Sequence, residues 1–75
     1  MNDEERIRNE KLANYFCRNN IKVHVSKNDG IFYNGYVKEV GADFFVINDV
    51  EEGDRLVFFL ELKRTIEQFS EENKT

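Results

Sequence analysis

"KNDGIFYNGYVKEV", residues 27–40, decides how this chain folds. Lys27, Asn28, Asp29 and Gly30 have the composition of a tight turn, closed by a glycine. Ile31 to Val40 then read as one long strand. Gly35 interrupts that strand between Asn34 and Tyr36. A glycine inside a strand weakens it, and marks a sharp bend or a close approach of another backbone. Ten residues of strand span roughly 33 Å if straight, which exceeds the width of a 75-residue domain. The strand must curve strongly, and Gly35 is placed to let it.

The pattern extends in both directions. Upstream, Ile21, Val23 and Val25 alternate with Lys22, His24 and Ser26, the signature of a half-buried strand. Before it, residues 3–18 read as a helix. Asn2 or Asp3 caps it, and Asp3, Glu4 and Glu5 complement its dipole. Leu12, Tyr15 and Phe16 supply a short apolar stripe, so packing through the second half of the helix is expected. Downstream, a turn at 41–43 leads to a strand over 44–49, an acidic loop at 50–54 and a strand over 55–62. Lys63 and Arg64 link into a brief strand over 65–69, and residues 70–75 form a polar tail. Strands this short and this closely spaced indicate a small barrel. The expected fold is mainly β: one domain over 1–75, an N-terminal α-helix, then a five-stranded, strongly bent antiparallel SH3-like barrel over about 21–69.

Composition narrows the function. A chain this short buries only about 60% of its unfolded surface, so its core is marginal and a staple is expected. The single cysteine, Cys17, forms no internal disulfide, and one histidine offers no zinc ligand set. Oligomerisation is the staple left. The "DVEEGD" run at 49–54 lacks the spacing of a calcium loop and reads as a solvated turn. No nucleophile, P-loop or dinucleotide signature is present, so no catalysis and no cofactor are expected. His24 reads as a surface or interface side chain, on the face opposite Val23 and Val25. A net charge of −4 does not suit a general polyanion binder. The charged opening "MNDEERIRNE", the free thiol and the lack of a long apolar run lead to the expectation of a cytoplasmic protein with no membrane contact.

"VHVSKNDGIFYNGYVKEV", residues 23–40, resembles the first motif of the Sm/LSm family, which includes the Hfq branch. Val23, Val25, Gly30, Gly35 and Val37 match its alternating strand, turn glycine, mid-strand glycine and following apolar residue. The order of one helix and five strands matches as well. The resemblance implies a hexameric or heptameric ring in which the fourth strand of one copy pairs with the fifth strand of the next. Val57, Phe58, Phe59, Leu60 and Ile66 are then the expected subunit contacts, and the nearly unbroken apolar run Leu56–Leu62 gains a cover on its second face. It also implies binding of short single-stranded RNA. Counted without gaps from Gly35, the family's acidic, base-stacking and pocket-asparagine positions fall on Gly41, Asp43 and Phe45. Its Arg-Gly or Lys-His pair is replaced by "LELKRT" at 60–65. The RNA contacts that remain as candidates are Asp43, Phe44, Phe45, Lys63 and Arg64. The competing expectation is an SH3- or Tudor-like module that binds a protein partner and no nucleic acid, with Phe32, Tyr33 and Tyr36 lining its groove. The acidic composition fits that module, because a ring of six or seven copies carries a formal charge of −24 to −28 at −4 per copy.

Overall fold

The computed structural model describes residues 2–71. It has an N-terminal helix α1 (Asp3–Arg18), then β1 (Val23–Ser26), β2 (Phe32–Val40), β3 (Phe44–Asp49), β4 (Gly53–Phe58), a 3-10 turn (Phe59–Glu61) and β5 (Glu67–Gln68). The strands form one five-stranded antiparallel sheet in the order β4-β3-β2-β1-β5. The sheet is barrel-like but open, with β4 and β5 at its two edges.

The helix begins where the sequence placed it. The Asn2 side chain accepts the Glu5 N–H at 2.8 Å, and Asp3, Glu4 and Glu5 fill the first turn. The buried face differs from the expected stripe. Asn9, Ala13 and Phe16 point inward, Leu12 packs beside them, and Tyr15 is half exposed with its edge against Phe16. The first half of α1 is anchored too, because the buried Asn9 Oδ1 accepts the Ile66 N–H at 2.9 Å. Residues 72–75 of the expected tail lie outside the described residues.

The curvature of β2 has two sources. At Gly35 an added Cβ would stand 1.9 Å from the Asn48 carbonyl oxygen and 2.7 Å from its carbon. Side chains normally project clear of a sheet, so a neighbouring carbonyl fills that place only where the sheet folds sharply over itself. A bulge between Val37 and Glu39 then shifts the register against β3 and adds a second bend. Gly30 closes the β1–β2 turn with φ +91. The turn before β4 ends at Gly53, whose φ is +78.

Three strands depart from expectation, β1 by starting at Val23 and not at Ile21, and β4 and β5 at both ends. β4 starts earlier, at Gly53, and ends at Phe58 instead of running to Leu62. Its carry-over is stopped by the 3-10 turn: Phe59 N–H bonds the Asp43 carbonyl at 2.9 Å, and the Glu61 carboxylate accepts the Phe58 N–H at 2.9 Å. The chain then crosses to the far side, where Lys63 N–H bonds Ser26 and Asn28 N–H bonds Glu61. This crossing closes one end of the barrel. β5 shrinks to Glu67–Gln68 because the Ile66 N–H goes to Asn9. The core joins α1 to the inner sheet face through Ala13, Phe16, Val23, Val25, Val37, Phe45, Ile47, Val57, Phe59, Leu62 and Ile66.

Candidate functional site

The apolar run 56–62, which continues from β4 through the 3-10 turn, alternates as far as Leu60. Val57, Phe59 and Leu62 are buried, while Leu56, Phe58 and Leu60 are 51%, 49% and 69% exposed. Phe58 lies opposite Phe44, and Leu56 opposite Val46, so these four side chains form one apolar patch on the outer face. The patch borders the free edge of β4, whose outward backbone groups have no strand partner among the described residues. An open edge beside exposed apolar side chains is a surface suited to pairing.

The expected subunit contacts therefore divide. Phe58 and Leu60 are presented to solvent, and Leu56 joins them although the sequence reading left it out. Val57, Phe59 and Ile66 belong to the core of a single chain, at 0%, 0% and 3% exposure, so their side chains are not available to a neighbour. The inward set is fixed by the pleat: Val57 pairs with Phe45, which is itself fully buried.

The expected RNA contacts divide as well. Asp43 is exposed and lines a cleft of about 330 Å³ with Asn2, Asp3 and Arg6 of the helix start and with Phe58, Phe59 and Leu60. Phe44 is half-buried, its ring lying over the Gly41 backbone. Phe45 stands in the core with its ring 5.4 Å from that of Phe59, and cannot receive a base. Lys63 and Arg64 are exposed after the 3-10 turn and do not line the Asp43 cleft.

A second cleft, of about 470 Å³, opens beside the start of β2, between it, the turn after β3 and the residues that precede β1 and follow β5. Ile31, Phe32, Tyr33 and Asn34 form one wall; Lys22 and Phe69 form another; Asp49, Val50, Glu51 and Glu52 close the third side. Phe32 lines this cleft as the interaction-module reading expects, but Tyr33 pairs with the buried Val25 and packs against the core, on the face opposite Phe32; Tyr36 lies outside the cleft, and Phe69 supplies the second ring. Lys22 holds its ammonium 4.1 Å from the Phe69 ring centroid.

A polar network underlies this wall. His24 is not a surface residue: it is 5% exposed, with the Phe32 ring 5.6 Å away. Its Nδ1 lies 2.6 Å from the Asn34 Oδ1, an oxygen that can only accept, so Nδ1 is the donor in this contact. Its Nε2 lies 3.2 Å from the Ser26 hydroxyl. With both nitrogens partnered, the ring is buried without an orphaned polar atom. Asp49, also buried, accepts the N–H groups of Asn34, Glu51 and Glu52 at 2.9, 3.0 and 2.8 Å. Burial pushes the Asp49 carboxyl up, but these three donors, with Arg55 nearby, outweigh it and hold the group below the ordinary 3.8. Asp49 thereby fixes the tight 50–52 turn that carries the acidic rim.

No family model matches the chain, and no curated protein matches it. Among the described residues, no cluster of histidine, cysteine and carboxylate side chains is suited to a metal ion. No described helix is long and apolar enough to cross a membrane.

Proposed function

We propose that this chain is a non-enzymatic scaffold of the Sm-like kind, whose copies join edge to edge into a ring of six or seven. The observation that carries this reading is the unpaired β4 edge with Leu56, Phe58 and Leu60 half or more exposed beside it. The edge of β5 at the other end of the sheet is its natural mate, because joining unlike edges repeats from copy to copy. Short single-stranded RNA is the cargo in this reading, met by Lys63 and Arg64; Asp43 lines a separate cleft and Phe44 belongs to the assembly patch. Native mass spectrometry and sedimentation velocity test the assembly. A closed hexamer or heptamer is expected, and Phe58→Glu should release a folded monomer, because a charge is introduced where the patch must be dry. A wild-type chain that stays monomeric over a wide concentration range overturns the ring. U-rich and A-rich oligonucleotides at physiological salt test the cargo, and binding unaffected by Lys63→Ala plus Arg64→Ala overturns the contacts.

A second reading, a protein-interaction module without nucleic-acid binding, is favoured by the aromatic cleft and its carboxylate rim.

A further inference from the structure

We infer that the cleft between Phe32, Phe69 and the 50–52 turn binds a lysine or arginine side chain of a basic polypeptide segment. This rests on the interaction-module reading and is independent of assembly through β4.

The walls match such a side chain from stem to tip. Ile31 and Val50, 48% and 59% exposed, offer apolar contact for a methylene stem. Phe32, 41% exposed, offers a ring face to the cation. The acidic rim supplies the countercharge. Glu51 has no ion-pair partner among the described residues, and Glu52 meets only Arg55, at 3.1 Å on the surface. Asp49 adds a third negative charge, its oxygens already occupied by backbone N–H groups. Among the described residues one cation lines the cleft, Lys22, and its ammonium lies over the Phe69 ring. That contact is also an internal instance of an ammonium held on an aromatic face in this cleft. The volume of about 470 Å³ falls in the range of ligand clefts and leaves room beyond one side chain for the flanking backbone. Among the described residues, Asp49, Glu51 and Glu52 stand against Lys22 and the Arg55 that pairs with Glu52, so the cleft keeps a net negative charge that favours a basic polypeptide over a phosphate backbone.

The test is a titration of the 75-residue chain, and of its Phe58→Glu variant to separate binding from assembly, with a short lysine–glycine peptide followed by amide NMR. Shifts are expected in 31–34 and 50–52, and are expected to vanish when the peptide's lysines are acetylated. Phe32→Leu keeps an apolar cover on His24 but removes the ring face, so it should weaken binding roughly tenfold without unfolding the chain. Glu51→Gln plus Glu52→Gln should weaken binding several-fold and flatten its dependence on salt. Lys22→Met removes a like charge and should tighten peptide binding. The inference is overturned if the acetylated peptide binds equally, if folded Phe32→Leu binds as wild type, or if Lys22→Met weakens the peptide. It is also overturned if oligoadenylate, and not the peptide, shifts these amides. None of these outcomes bears on whether copies join through β4.

Discussion

Replacing Gly35 by alanine tests the sharpest geometric feature of the sheet. The new methyl carbon would lie 1.9 Å from the Asn48 oxygen, 2.7 Å from its carbon and 3.1 Å from the Asp49 Cα. All three atoms are backbone, so no side chain can rotate away. Relief requires β2 and β3 to part, and Gly35 is paired on both flanks, with Asp49 and with Val23. Overpacking of this kind typically costs 1–3 kcal/mol, and a backbone clash belongs at the top of the range, about 3 kcal/mol. A chain of 75 residues at roughly 0.05–0.15 kcal/mol per residue has about 4–11 kcal/mol in total. The loss is then a large part of the stability, equivalent to a fall in Tm of about 12–24 °C. Gly30→Ala is the comparison. It has nothing within 4 Å of the new carbon but keeps φ +91, so it pays only the left-handed backbone strain of about 1–2 kcal/mol. Urea unfolding followed by far-UV circular dichroism measures both, at several protein concentrations because self-association adds to apparent stability. If Gly35→Ala is no worse than Gly30→Ala, the close approach of β3 is not what the glycine serves.

Asn9→Ala leaves the Ile66 N–H without its partner in a buried place, and should destabilise the fold by about 1–3 kcal/mol in the same urea assay. Phe45→Ala opens a cavity in the core and should cost about 3–5 kcal/mol, lowering the urea midpoint whether or not RNA is present. The Asp49 carboxyl is held below 3.8 in the folded chain, so its stabilisation is full above that value and is lost as pH falls through the lower folded value. Asp49→Asn should therefore be less stable than wild type near neutrality by about 1–3 kcal/mol, with the gap narrowing below pH 3.8 in parallel denaturation curves. Part of the acid sensitivity survives in that variant, because the Ile31 N–H lowers Asp29 and Lys38 lowers Asp54.

Local signals carried most of the architecture. The cap at Asn2 and the acidic first turn located α1, and turn residues flanking apolar alternation located β2 and β3 within a residue. What escaped depends on partners far away in sequence. Nothing near Asn9 announces that it will hold Ile66, 57 residues later, and so shorten β5. His24 is buried by Phe32, a residue of the next strand, and its own neighbours Lys22 and Ser26 suggest only a polar face. Two misses had a usable signal. Asn48 is polar and exposed, so Phe44 and Val46 share its outward side and Phe45 must turn inward with Ile47. Asp49 begins a turn followed by free backbone N–H groups, the usual place for an aspartate to accept them. The alternation of 56–60 had no such signal, because apolar residues stand on both faces and composition cannot tell them apart.

The two proposed surfaces act together through charge. β4 offers six residues of edge and β5 only two, so contact between them joins unlike surfaces and either closes a ring or runs on as a filament. Each added copy contributes −4, and that repulsion grows as the assembly grows. Exposed apolar area at Leu56, Phe58 and Leu60 has to outweigh it. A basic polypeptide lying in successive clefts would relieve the same repulsion and gain avidity from copy to copy. RNA would deepen it everywhere except near Lys63 and Arg64. Raising salt should therefore strengthen assembly of the free chain while weakening its hold on a lysine-rich peptide. Sedimentation velocity and the peptide titration, run across one salt series, read the two opposite slopes; parallel slopes would mean that charge does not link the surfaces.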